Sequence, residues 1–266
     1  MLTDFYGNHL TTSTGLARDS YDIGLRAFLS ANYGAEEAFS QAIEADPNFA
    51  LGYMALVRAF MSSGKLANAK AALSNAKNLL DGLTSREKSH FLCCELILSG
   101  EVKKARVAVQ KHVSEWPRDA MIAQMSTSVF GLIGFSGEVG RENDLLEYTA
   151  KLLPHYGDDW WMMSMHAISL CETGQTLKSM QLMEKALSSN PRNANAAHFF
   201  AHILYEENEV SAGRDYLAAW MPNYDCRSLL HGHLSWHQAL WALYDGDETS
   251  MWDIVDTSVS QEKGSS

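Results

Sequence analysis

The chain has 266 residues, 46% of them apolar and 20% charged, and a formal net charge of −11. That length suits one large domain or two small ones, with a core that needs no disulfide or metal staple. The composition excludes disorder and a turn-dense sandwich, and the acidic balance works against nucleic acid and anionic membrane surfaces as partners.

The first residues, from Met1 to His9, lack a basic start and an apolar run, so no signal peptide is expected. No stretch of 18 apolar residues predicts a membrane-spanning helix. Four scattered cysteines, Cys93, Cys94, Cys171 and Cys226, form no CxxC pair. They read as reduced thiols in a cytoplasmic protein.

Turn signals then recur at even intervals. Asp46-Pro47, Asp81-Gly82, Trp116-Pro117, Leu153-Pro154, Asn190-Pro191 and Met221-Pro222 are spaced 35, 35, 37, 37 and 31 residues apart. Between them lie Gly64, Gly100, Gly137, Gly174, Asn208 and Gly246, spaced 36, 37, 37, 34 and 38. Two interleaved series with a period near 34 predict repeated helix–turn–helix units. The second unit offers Tyr53, Leu56, Val57 and Phe60 to its first helix, then Ala69, Leu73 and Ala76 to its second. The third unit follows with Leu92, Cys93, Leu96, Ala105 and Val109, and the fifth with Ala167 and Ala186. Small residues at these positions let two helices approach closely. Each hairpin leaves an apolar face for the next to cover, so the units stack into a right-handed all-α solenoid of about six to seven units, degenerate at its ends. Residues 1–260 are expected to form this single solenoid and 261–266 a tail.

The register resembles the tetratricopeptide repeat, and more narrowly the branch named after tetratricopeptide repeat protein 38. The residues that carry this are Asp4-Phe-Tyr-Gly7 before Tyr21-Asp22, Asp46-Pro47-Asn-Phe-Ala-Leu51, Arg86-Glu87-Lys-Ser-His90 and Pro117-Arg118-Asp119-Ala120. They continue with His198-x3-His202, Gly213 and His233-x2-Trp236-His237-x-Ala239-Leu240. The resemblance implies that certain first-helix slots line a concave face. In the sixth unit these slots fall on Asn195, His198, His202, Tyr205 and Glu206. His237 takes an equivalent slot in the next unit if Trp236 fills the first core position, and His233 lies one turn before it. In the third unit the slots fall on Glu87 and His90.

Five of ten histidines lie between His198 and His237, and neighbours at i+3 and i+4 share a helix face. Three readings stay open. The rings are structural, or they hold a peptide, protein or small polar ligand together with Asn195, Glu206 and His233, or they perform acid–base or metal-assisted chemistry. For a metal, His198, His202 and His237 are the candidate ligands; the same three are the candidate catalytic residues. The residue after His198 is Phe199, so the H-E-x-x-H hydrolase pattern is absent. No cofactor is expected, since GxGxxG, GxxxxGK[ST] and GxSxG do not occur.

Other positions are weaker. Arg86 and Glu87 read as an ion pair at a helix start. Trp160 and Met163 read as core, with Trp161 turned to the groove as a flat wall. Adjacent helical residues point about 100° apart, so Cys93 is expected in the core and Cys94 in the groove. His166 reads as a buried core histidine. An apolar face around Trp241 and Trp252 suggests pairing of two copies. The leading expectation is a binding module whose concave groove takes a peptide or small polar ligand, with Glu87, His90 and Trp161 nearer the middle. The alternative is an enzyme that uses the groove histidines on a small molecule.

Overall fold

The computed structural model describes residues 2–259. Among them the chain is an all-α solenoid of fourteen α-helices, most of them paired as hairpins. The one extended pairing is an isolated bridge between Thr3 and His9. Among the described residues, no helix is long and apolar enough to cross a membrane. The chain divides into two compact units. The expected tail, 261–266, lies outside the described residues.

The first unit comprises the residues up to Leu29 together with Gly34–Gly157. It holds α1 (Gly15–Leu29), α2 (Ala35–Ala45), α3 (Ala50–Ser62), α4 (Leu66–Lys77), α5 (Ser85–Leu98), α6 (Val102–Glu115), α7 (Ala120–Ala123) and α8 (Arg141–Tyr156). The second unit comprises Ser30–Tyr33 and the chain from Asp158 onward. It holds α9 (Trp160–Glu172), α10 (Thr176–Ser189), α11 (Ala194–Glu206), α12 (Val210–Trp220), α13 (His231–Tyr244) and α14 (Glu248–Ile254).

Both series of turn signals have a backbone cause. Gly64, Gly100, Gly137, Gly174, Asn208 and Gly246 all adopt positive φ, between 61° and 76°. At five of them the next N–H reaches back five residues, as Lys65 does to the Phe60 carbonyl at 2.8 Å and Glu209 to Leu204 at 2.8 Å. This closes the preceding helix through a left-handed residue, which glycine adopts without steric cost. Asp46, Trp116 and Asn190 stand before prolines with ψ of 95°, 70° and 87°. A following proline disfavours helical geometry there, so each helix stops. Pro154 departs from this pattern: it lies inside α8, which runs on to Tyr156. Pro222 is the middle residue of a 3-10 turn, Met221–Asn223.

The fourth hairpin is the irregular one, although degeneracy is expected only at the ends. Its first helix is reduced to α7, followed by 3-10 turns at Gln124–Ser126 and Gly134–Ser136. The run Ser126-Thr127-Ser128-Val129 has weak helix propensity. The chain then folds tightly on itself: a Cβ at Gly134 would sit 2.1 Å from the Val129 carbonyl oxygen.

Small-against-large packing sets the hairpins. Ala69, Ala76, Ala105, Val109 and Ala186 are fully buried, as the repeat register predicts. In α1, Gly24 lies against the buried Phe39 ring of α2. In the second unit, Gly213 of α12 admits the ring of Trp241 from α13.

Candidate functional site: four imidazoles in the second unit

Asn193 caps α11, its side chain accepting from the Ala196 N–H at 3.3 Å. Two residues further on, half-buried Asn195 precedes His198 and His202, which share a face at i and i+4. On α13, His233 and His237 repeat that spacing. The two pairs meet ring to ring. The Nε2 atoms of His198 and His202 are 2.9 Å apart, those of His198 and His233 2.8 Å, and those of His233 and His237 3.2 Å. One ligating atom from each ring lies within 4.8 Å of all the others. Adjacent rings stand nearly perpendicular, with interplanar angles of 80° to 86° around the set.

His198 is only 2% exposed and the other three rings are half-buried. The Nδ1 of His198 is buried without a hydrogen-bond partner. Burial, then the neighbouring rings, pushes the His198 pKa down to about 2. The same two causes bring His237 to about 3. His202 and His233 are also lowered, chiefly by burial. Glu206, exposed one turn beyond His202, acts on that ring in the opposite sense. At neutral pH the cluster is therefore uncharged and offers ring lone pairs.

Asn195, His198, His202, Glu206, His233 and His237 thus occupy one neighbourhood. Trp236 does not fill a core position. It is 42% exposed and stacks on His233 at 5.9 Å. Tyr205 is exposed beside Glu206. The core position belongs instead to Trp241, which is buried against Gly213. Of the apolar face expected around Trp241 and Trp252, Trp241 is buried, while Trp252 is exposed together with Leu240, Leu243 and Tyr244 of α13.

Trp161 is fully buried and presents no wall to solvent. Helix α9 is apolar on almost every side, so both Trp160 and Trp161 enter the packing. Cys94 is buried as fully as Cys93, and burial pushes both thiols up, Cys93 to about 12. His166 is half-buried rather than core.

Glu87 and His90 belong to a separate network in the first unit. Thr84 and Glu87 form a capping box at the start of α5. The other oxygen of Glu87, Oε1, accepts from the N–H and hydroxyl of Thr11 at 3.2 and 2.9 Å. The N-terminal segment thereby covers Glu87. Arg86 does not pair with Glu87: it donates to Asp119 Oδ2 at 2.5 Å and to the His9 carbonyl at 2.8 Å. His90 Nδ1 lies 3.1 Å and His112 Nε2 3.2 Å from the same Asp119 oxygen. Burial alone would raise the Asp119 pKa, but His90 and Arg86 hold it well below the usual carboxylate range. His90 is itself lowered by burial. Arg86, Glu87, His90, His112 and Asp119 are all buried, so these residues brace α5, α6 and the N-terminal segment. Sequence reasoning missed His112 and Asp119 as partners. The one available signal was their place beside the Trp116-Pro117 turn.

A cavity of about 610 Å³ opens elsewhere in the first unit, between α6 and α8, where Arg106, Glu138, Asp144, Glu147 and Lys151 mix with Val107, Tyr148 and Leu152. It contains none of the candidate site residues.

No known protein-family profile matches the chain. Among solved structures, PilF of Pseudomonas aeruginosa is similar at TM-score 0.51 and 16% identity, over 77% of this chain and 88% of that one. That likeness is one of fold. YrrB, described as a TPR protein with an unusual peptide-binding site, matches at TM-score 0.35 and 15% identity, over 84% and 91% of the two chains. The C-terminal part of a TPR repeat-containing protein from Cytophaga hutchinsonii matches at 0.40 and 12%, over 90% and 93%.

Proposed function

We propose that this chain is a helical-repeat binding module of the tetratricopeptide type, acting in the cytoplasm, whose ligand is held at the imidazole cluster of α11 and α13. The observation that carries the reading is the convergence of four ring nitrogens from two helices, with their pKa values lowered. Neutral imidazoles present lone pairs, so the group they receive is a donor: an N–H or O–H of a peptide or small polar molecule, or a cation. Around them, Asn195 supplies an amide, Glu206 a carboxylate, and Trp236 and Tyr205 exposed aromatic surface. Such a mix of apolar wall and few polar groups suits specific recognition.

Native mass spectrometry of the full chain tests this. The folded protein is expected to carry a bound species that the His198→Ala/His202→Ala double variant has lost while keeping its helical circular dichroism. A double variant that unfolds, with His237→Asn folded and still loaded, would assign the rings to packing instead.

A further inference from the structure

The close contacts within the cluster do not add up as hydrogen bonds among imidazoles. Three Nε2 pairs lie at 2.8 to 3.2 Å, linking His202 to His198, His198 to His233, and His233 to His237. A ring nitrogen has one in-plane site, which holds either a proton or a lone pair. His198 and His233 each stand in two of the three contacts. Even with protons and lone pairs alternating along the row, the one in-plane site of His198 and that of His233 must each serve two neighbours, so at most two of the three contacts are directed hydrogen bonds. Either tautomer of His198 leaves its buried Nδ1 without a partner, so the choice of tautomer does not relieve the crowding at Nε2. A single electrophile among the four nitrogens removes the conflict between the Nε2 atoms, since each then points its one lone pair at it and the ring protons sit on Nδ1.

We infer that the four Nε2 atoms hold one divalent transition-metal ion of the Zn2+ class. This rests on the reading of the cluster as the ligand site and names that ligand. Zinc–imidazole bonds of about 2.0–2.1 Å in a tetrahedron put the nitrogens roughly 3.3–3.4 Å apart. The three close pairs, at 2.8 to 3.2 Å, need to open by a few tenths of an ångström to admit the ion. Imidazole suits borderline ions such as Zn2+, Cu2+ and Ni2+ over Mg2+ or Ca2+, which take oxygen ligands. Two i, i+4 pairs on neighbouring helices fix the ring directions without any loop. The surroundings favour positive charge: the Glu206 carboxylate acts on His202. The buried His90, His112 and Asp119 of the first unit also come within ligating distance of one another. There the Arg86 guanidinium already occupies the Asp119 oxygen, so a second cation is repelled. With four protein ligands the site in the second unit is closed, which suits an ion that ties α11 to α13 rather than one that activates water.

The test is a Co2+ titration of the full chain after chelator treatment and dialysis, read by visible absorption. The expected result is a ligand-field band that saturates at one Co2+ per chain and is bleached by one equivalent of Zn2+. His202→Ala and His237→Ala should each weaken Zn2+ binding by about 100-fold. His202→Cys should keep it, because thiolate also ligates Zn2+. His155→Ala, an exposed histidine of the first unit, should change nothing. Absence of the band, or a band untouched by His202→Ala in a folded variant, overturns the metal. If the band is absent and native mass spectrometry still finds an organic species that depends on His202, the binding module stands and only the ion falls. If neither binds, both readings fall.

Discussion

His198 and His233 are 35 residues apart in the chain, and their Nε2 atoms lie 2.8 Å from each other. That proximity is a property of the repeat: two first helices, one period apart, each present a histidine at the same level of the stack. It makes the second unit sensitive to acid. His198 and His237 have folded-state values near 2 and 3, below the ordinary 6.5. A ring whose pKa is lower in the folded state is neutral there and takes a proton on unfolding. Its contribution is complete above about pH 6.5 and is lost as pH falls towards the folded value. Each such ring adds a slope of up to about 1.4 kcal/mol per pH unit. Asp4, raised to about 6 chiefly by burial, contributes in the opposite sense below that pH. Urea denaturation in chelator at pH 7, 6 and 5 should show stability falling, with a shallower fall in His237→Asn. Equal slopes in the two proteins would contradict the lowered value at His237.

Asp119 is expected to be the most costly single polar substitution in the first unit. Asp119→Asn leaves the Arg86 charge buried without its partner, which costs about 3–5 kcal/mol. The double variant Arg86→Met/Asp119→Leu should lose less than the sum of Arg86→Met and Asp119→Leu measured singly. Additive losses in equilibrium denaturation would show that the pair is not coupled.

Gly24→Ala opposes two effects on α1. Helix propensity favours alanine by about 1 kcal/mol. The new methyl would stand 2.5 Å from the Phe39 ring, and Phe39 is fully buried and cannot yield easily. Overpacking of this kind costs about 1–3 kcal/mol. The contact is short enough to win, so thermal melting should drop. A rise in melting temperature would mean that the hairpin has room to relax.

The turn residues predict opposite signs at equivalent places. Gly174→Ala, at φ 76°, should destabilise by about 1 kcal/mol, the cost of a side chain in left-handed geometry. Asn208→Gly, at φ 61°, should be neutral or gain a few tenths of a kcal/mol, since glycine takes that conformation freely. Calorimetry on the two variants that gave the same sign would break the equivalence.

Much of the two turn series was legible because local chemistry decides it: a left-handed residue ends the first helix of a hairpin, and an X-Pro step ends the second at Asp46, Trp116 and Asn190. The i, i+4 histidine pairs were legible for the same reason, being local to one helix. What escaped was long-range or ambiguous in period. Trp161 sits in a helix apolar on nearly every side, where periodicity names no face. Arg86 found Asp119, 33 residues away, instead of its neighbour Glu87. The broken fourth hairpin keeps its turn signals in step, so spacing alone did not reveal that Ser126 to Gly134 abandons the helix.

The four residues Ser30–Tyr33 belong to the second unit although they leave α1 of the first. The Ser30 carbonyl accepts from the Ala194 N–H at 2.9 Å, and the Ala31 carbonyl accepts from the Tyr224 hydroxyl at 2.6 Å. A fragment begun at Asp158 would strip both acceptors from beneath the start of α11 and the approach to α13. Anyone dissecting the protein into halves must carry this short strap along, as a supplied peptide or a grafted leader, or the imidazole-bearing half will be studied with its footing removed.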